Sequence, residues 1–516
     1  MRELKKKGFT VNTLKPAGLM LTATSFLMTT GAALADVTPA DVWSDWRGYM
    51  ADFGYSVTAD ESLSGNDLTV RNLVLGIPMA ELEGDVTMTL PEIQFSDNGD
   101  GTVSISMPEV MPISVNVSGS EPVSVDVIYT TKGLDVDVSG DMDDMTYVYS
   151  AAMMAMELGE FTVDGETLKL GTAKFEMADV AGNTRQQAGA IRKVDQTVTT
   201  GPFSYAMDFA DPDSTETRFV LNGATQNLSM NAKMAIPKEM DPENMAEGLK
   251  AGFAIDGGYT FGPGNMNFNV NDRGEVTQGK TSSQGGSFTV AMDEGRLLYG
   301  VKNDQVDVEI VSPDLPFPIS AQMRELGFEF LTPVLQSDAA QDFGLSMILG
   351  DFTMSDMIWG QFDPSGQLPR DPATIALDLA GQARLLFDLF DPDQMMAVEN
   401  GEKAPGELLA LTMKNLVLRV AGAELTGQGD FTFDNTDMST YDGMPKPVGS
   451  IDLSLLGGNG LLDRLVAMGL FSEDDAMGIR MMSAAFVKPG EGDDHMTSTL
   501  EFNEQGHVLA NGQRLK

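Results

Sequence analysis

The sequence contains no cysteine. That absence excludes a disulfide framework, a thiolate metal site and attachment of a lipid through a lipoprotein-type cysteine. Histidine is almost as scarce, with only His495 and His507 in 516 residues. A Ser-His-Asp triad would have to recruit one of the two, and no G-x-S-x-G elbow is present to receive it. Basic residues are also few, 33 Lys and Arg against 76 Asp and Glu, for a formal charge of −43. Nucleic-acid binding draws its affinity from cations that neutralise phosphate, so this chain repels DNA and RNA, and it repels an anionic membrane face for the same reason. The chain is still not a disordered acidic polymer. Its hydrophobic content is 42%, and the acids are spread between apolar runs.

The first thirty-five residues read as an address. Arg2, Lys5, Lys6, Lys7 and Lys15 form a basic region, an apolar run from Ala17 to Met28 follows, and Ala33-Leu34-Ala35 gives the small-x-small pattern that precedes cleavage, here before Asp36. The apolar run is short and threonine-rich for a membrane span, although retention as an anchor is the alternative. Nothing later approaches eighteen consecutive apolar residues, so no stable membrane insertion is expected after cleavage. Five bases and one acid leave with the leader, so the mature chain carries −47, four units below the −43 of the whole. The expected compartment is a bacterial periplasm.

One stretch occurs twice. Leu68–Gly84 reads LTVRNLVLGIPMAELEG and Leu411–Gly427 reads LTMKNLVLRVAGAELTG, ten identities in seventeen positions. The matches include polar positions that simple alternation does not require, Asn72 with Asn415 and Gly84 with Gly427. Each copy is expected to form a strand, a turn and a strand. Alternation places Leu68, Val70, Asn72 and Val74 on one face, so each asparagine is expected inside an apolar surface and hydrogen-bonded there.

Around these copies the period is mostly two, which predicts a mainly β, β-dominated α+β fold: extended, curved antiparallel sheets in two lobes, with a few short packing helices. A lobe over 36–236, a helical connector over 237–252 and a lobe over 253–516 follow the breaks in pattern. Thr38-Pro39-Ala40-Asp41 opens a helix whose Val42, Trp43, Trp46, Met50 and Phe53 form a packing face until Gly54. Met145–Leu158 is ambiguous between a strand and a strand followed by a helix. Gly457-Gly458-Asn459-Gly460 turns into a helix whose N-terminus offers N–H groups to an anion, but the acidic surroundings favour a plain turn.

The words Trp359-x-x-x-Asp363-Pro364, Leu368-Pro369-Arg370-Asp371-Pro372-Ala373-Thr374 and Leu377-Asp378-Leu379-Ala380-Gly381 are the most distinctive text. With the leader, the Asp41-Val42-Trp43 helix and the closing Asn511-Gly512-Gln513, they resemble a proteobacterial envelope family labelled domain of unknown function 2125. The resemblance implies an envelope location and carries over no catalytic residue, cofactor or substrate. The repeated motif is similar in style to AsmA-like envelope proteins, which are associated with lipid handling.

Sites of chemistry are few. Asp493 and Asp494 beside the histidines suggest zinc only weakly, since residues flanking a turn are expected in solvent. Asp97-Asn98-Gly99-Asp100-Gly101 lacks the spacing of a calcium loop and reads as a hairpin turn. With seventy-five acids in the mature chain, a glycosidase-like carboxylate pair has no distinguishing position. Thirty-five methionines against three tryptophans would suit either ordinary core filling or an apolar groove for acyl chains or peptide.

The sequence therefore points to a non-enzymatic exported protein without a cofactor, binding an apolar or amphiphilic ligand, lipid-like, or an envelope protein partner. A carboxylate- or calcium-dependent hydrolase and a purely structural envelope protein are the alternatives. The leader generates the first prediction. N-terminal sequencing of the exported protein returns Asp36 as the first residue; recovery of Met1 in the membrane fraction would identify an anchor.

Overall fold

The computed structural model describes residues 36–77, 86–119, 122–211, 214–238, 240–241 and 244–516. It is 61% strand and 12% helix, far above the usual strand content of about 20–25%, so the fold is mainly β. The helices are α1 (Pro39–Asp52), α2 (Met245–Lys250), α3 (Asp356–Phe362), α4 (Pro392–Glu399), α5 (Gly458–Ala467) and α6 (Glu473–Ser483). None is long and apolar enough to cross a membrane. Two units emerge. The first takes the chain to Glu243 together with Tyr259–Lys280 and Ser312–Asp314; the second takes Asn244–Gly258, Thr281–Val311 and Leu315–Lys516. Helix α2 lies within the 237–252 connector expected from the sequence, and the chain re-enters the first unit after it.

Two long strands form the spine of the first unit. Asp144–Val163 carries Asp135–Asp141 and Val123–Lys132 end to end along one edge and Gly171–Gln187 along the other. Gly171–Gln187 in turn carries Ile191–Thr199 and Phe203–Asp211 on its far edge. Met145–Leu158 is thus all strand. Its Met- and Ala-rich composition favours helix, but Met145, Tyr147, Tyr149 and Ala151 alternate inward, and pairing on both edges overrides local propensity. Because each spine strand serves two partners, apolar side chains collect in two places. Met111, Ile113, Tyr129, Met154 and Val180 form one cluster, and the other lies beneath α1.

Helix α1 forms as its sequence dictates. Thr38 and Asp41 make a capping box, Pro39 occupies the first turn, and Val42 and Trp43 are buried. Trp46 meets Phe95 edge-on at 5.3 Å, and the Trp43 indole N–H donates to Glu61 at 2.8 Å. The chain enters this core directly: Val37 is buried and its N–H donates to Gly101 O. On the other side of the helix, Arg192 is 7% exposed and bridges two helix carboxylates, Asp45 at very short range and Asp52 at 3.3 Å. Gln186 accepts from the same guanidinium at 3.2 Å, and the Tyr49 ring lies 5.7 Å beneath it. Burial works against the guanidinium charge, but the two carboxylates outweigh it and raise the Arg192 pKa.

The repeated motif forms a bulged strand in both copies, and the asparagines are exposed, contrary to expectation. Asn72 has φ +49° and donates to Asp60 Oδ2 at 2.8 Å. The left-handed residue breaks alternation, so the buried set is Leu68, Val70, Leu73 and Leu75, not Val74. In the second copy the ladder slips at Lys414–Asn415, and Leu411 and Met413 continue as Leu416 and Leu418. The return strands differ. Leu416 faces Gly427, whereas Leu73 faces Leu90, and Gly84 lies outside the described residues.

The second unit contains a meander. Gly285–Asp293, Arg296–Val311, Ile319–Thr332, Gln341–Met354, Ala373–Leu385, Gly406–Val420, Ala423–Asp434, Lys446–Leu456 and His495–Phe502 pair each with the next. The proline-dense Ser312–Pro318 bridges two strands of this series, and Asn503–Gly506 turns the C-terminal hairpin. The unit's buried cluster is small: Ala246 and Leu249 of α2 on Val334 and Leu335. Asp388 fastens it, accepting from Gln336 N at 2.8 Å and pairing with Lys250 at 2.9 Å.

Removing one partner from a buried ion network strands the remaining charges, which costs about 3–5 kcal/mol. Arg192→Leu is therefore expected to lower the urea unfolding free energy by that amount. Adding Asp45→Asn and Asp52→Asn recovers part of it, and an unchanged midpoint in Arg192→Leu would show that the network is idle.

Candidate functional site

Strand register sorts the side chains of the second unit's meander into two unlike faces. Tyr299, Phe330, Leu345, Leu379 and Met413 stand in one row across five strands; Val301, Phe328, Met347, Leu377 and Leu416 make the next. Leu349, Ile375, Leu418, Leu425 and Leu455 extend the same face. The opposite face presents Glu329, Ser346, Asp378 and Asn415 in one row, with Lys302 paired to Glu325 at 3.2 Å. An antiparallel sheet normally hides its apolar face under a second layer. Here Tyr299, Phe328, Phe330, Met347, Ile375 and Leu418 each remain 39–47% exposed. A contiguous apolar surface of this kind marks a place where something binds.

The rim of this surface is built by the most distinctive words of the sequence. Asp363 is buried and accepts from Leu368 N at 2.7 Å, Gln367 N at 2.9 Å and Ser365 Oγ at 3.3 Å, which closes the turn after α3. Burial alone would raise its pKa; the converging donors outweigh that and hold it below the ordinary 3.8. Arg370 pairs with Asp356, donates to Met354 O at 2.9 Å and lies 5.9 Å from the Trp359 ring centre. These residues position the strands Gln341–Met354 and Ala373–Leu385 that carry the apolar face. They have a structural task and no evident chemistry.

The polar face holds a depression of about 500 Å³ whose lining includes Lys414, Asn415, Gln428, Asp452 and Ser454. Both residues of the second repeat singled out in the sequence, Asn415 and Gly427, lie there, and Asn72 belongs to the first unit. Ser454 Oγ is 2.8 Å from His495 Nε2, and His495 Nδ1 is 3.0 Å from Glu491 O. A carbonyl only accepts, so Nδ1 carries a proton and donates it to Glu491 O. His495 and His507 are both half-buried, not solvent-exposed as expected.

The N–H groups at the start of α5 are satisfied from within the chain. Asp494 accepts from Asn459 N at 3.0 Å and Gly460 N at 2.7 Å. Burial opposes the Asp494 charge, and those N–H donors more than compensate, so its pKa is lowered. The Asp97–Gly101 loop is likewise self-satisfied: Asp97 accepts from Gly99 N at 2.8 Å and Asp100 from Thr102 N at 3.1 Å. Among the described residues no group of three or more His, Asp or Glu side chains is gathered for a metal. Ala33 and Ala35 lie outside the described residues, and Asp36 is the first described and is exposed.

No family model matches the chain, and no curated protein matches it. Among solved structures, the chain is similar to the ferric citrate transporter FecA in its unliganded form, with 9% identity over 89% of this chain and 76% of that one. The TM-score of 0.15 is too low for that likeness to carry any argument.

The buried carboxylate of Asp363 sets a pH test. Its folded pKa is depressed, so its contribution is complete above the ordinary 3.8 and is lost as pH falls toward the depressed value. Asp363→Asn is therefore less stable than the wild type near neutrality, and the gap between their urea midpoints narrows below pH 3.8. A gap that is constant from neutrality to that range would show that the charge on Asp363 does not matter.

Proposed function

We propose that this is an exported, non-enzymatic binding protein whose second unit receives an amphiphile, an acyl chain above all, on its open sheet face. One observation carries the reading: six large apolar side chains on neighbouring strands remain 39–47% exposed along a face that register makes continuous. Neighbouring strands are about 4.8 Å apart, so five strands span about 19 Å, the scale of an extended acyl chain. Flexible methionines such as Met347 and Met413 fit such a surface, because an unbranched thioether adapts to ligands of varied shape.

The leader, the acidic surface and the envelope-family words Trp359–Pro364 and Leu368–Thr374 favour the periplasm as the place of action. A serine-type hydrolase, a different class from the carboxylate- or calcium-dependent one expected from the sequence, has the Ser454–His495 hydrogen bond behind it. However, the paired N–H groups at the start of α5, suited to an oxyanion, are held by Asp494. Binding is the reading that uses the larger feature.

The test is a fluorescent fatty-acid probe titrated into the delipidated protein and into Phe328→Glu. Phe328 is half exposed, so the variant folds, but it loses an apolar contact of about 1.5–3 kcal/mol, which weakens the probe about tenfold or more. Glu329→Gln on the polar face leaves affinity unchanged. Absence of saturable probe binding to the wild type, or equal loss in both variants, would remove the proposal.

A further inference from the structure

A helix on a protein surface turns a polar side to water. Helix α6 does not. Of its eleven residues, Ala476, Arg480 and Ser483 alone escape exposure, and they mark its inner side. Arg480 is tied inward: it pairs with Asp463 of α5 and donates to Asn459 Oδ1 at 3.2 Å. At about 100° per residue, Met477 and Ile479 flank the inner side, and Gly478, Met481 and Met482 lie on the outer one. Met477, Met481 and Met482 are 61%, 71% and 69% exposed, and Ile479 is 41% exposed. Beyond the acidic first turn, Glu473–Asp475, the outer side and both flanks therefore carry no charge. The loop before the helix adds Leu470 and Phe471, 63% and 40% exposed. The segment after it is fastened, with Phe486 O accepting from Ser498 Oγ at 2.6 Å and from Asn511 Nδ2 at 2.8 Å.

Exposure by itself means little, since single apolar side chains are scattered over any protein surface. Met142 is as exposed as Met477, but it stands between Asp141 and Asp143, and Met444 follows Asp442-Gly443. On α6 the apolar positions are contiguous. From Met477 through the outer side to Ile479 they span about 200° of the circumference, whereas a helix seated on one protein surface needs an apolar stripe of about 100°. A folded partner or a second copy covers one side of a helix and leaves the rest wet. A fluid layer of acyl chains closes on every side it meets, and a helix lying in a bilayer surface sinks about 5–10 Å into it. The formal charge of −43 also opposes a second copy. The same sign selects the lipid: Glu473, Asp474 and Asp475 sit at headgroup level, where anionic lipid repels them and zwitterionic lipid does not.

We propose that α6, with Leu470 and Phe471, docks reversibly on a bilayer of zwitterionic lipid. The proposal does not rest on amphiphile binding by the sheet. Its test is co-sedimentation of the exported protein with phosphatidylcholine vesicles, to which the wild type binds. M481E/M482E binds about tenfold or more weakly, because two side chains lose their burial, and Met142→Glu binds as the wild type does. Adding phosphatidylglycerol to the vesicles weakens the wild type. The double variant still takes up the fatty-acid probe, so docking and ligand uptake fail separately. If the double variant does not fold, an environment-sensitive dye on Met481→Cys decides, since no other cysteine competes for the label. Its emission shifts to the blue when vesicles are added, and that of the same dye on Met142→Cys does not. The proposal is overturned by any of the following: no sedimentation with phosphatidylcholine, undiminished binding in the double variant, equal loss in Met142→Glu, tighter binding to anionic vesicles, or a dye on Met481→Cys that does not shift. A dimer that the double variant dissociates would make a second copy the occupant, and joint loss of vesicles and probe would make α6 a wall of the sheet site; either result also overturns it.

Discussion

A strand sends successive side chains to opposite sides, so a sheet that gives one face to water commits the other to finding cover. That constraint organises this chain. In the first unit the cover is α1, whose Val42, Trp43 and Trp46 lie on Phe95 and its neighbours, with Arg192 holding the helix by two carboxylates. In the second unit the only buried cluster is the small one where α2 meets Val334 and Leu335, among the described residues. Rows from Tyr299 to Leu418 are left half exposed. Burying a side chain of that size is worth about 1.5–3 kcal/mol, so a ligand that covers several of them gains a large driving force.

How much of this was legible in the sequence depends on the range of the interaction. Local chemistry was readable: Thr38, Pro39 and Asp41 cap and start α1 as written, and Asn503–Gly506 turns a hairpin. The long strand 144–163 was not, because pairing on both edges decided it against a Met- and Ala-rich composition. Asn72 shows a finer failure. Strict alternation placed it in the core, but a single left-handed residue reverses which side chains point inward, and no periodicity argument registers that. The apolar face was invisible for another reason. Leu326, Phe328 and Phe330 alternate with Glu325, Gly327 and Glu329, as in any strand with one buried side, and only their exposure in the fold marks them as a candidate site. The Ser454–His495 contact joins residues 41 apart and had no signature in spacing.

The acidic excess acquires two roles. Some carboxylates are structural: Asp45 and Asp52 on Arg192, Asp388 on Lys250, Asp363 closing the turn after α3, and Asp494 at the start of α5. The rest give copies of the protein a shared negative sign. A sheet with an open apolar face invites self-association, and the formal charge of −43 opposes it. An amphiphile with a neutral or zwitterionic headgroup meets no such barrier.

The central claim is that the second unit's apolar face is covered by an amphiphile in the cell. Native mass spectrometry of the protein purified from the periplasm without detergent tests it most directly. The account predicts a population heavier than the mature chain by a lipid-sized mass, released on collisional activation and identifiable as an acyl-chain amphiphile. A single species at the mass of the bare chain, from a preparation never exposed to detergent or organic solvent, would contradict it.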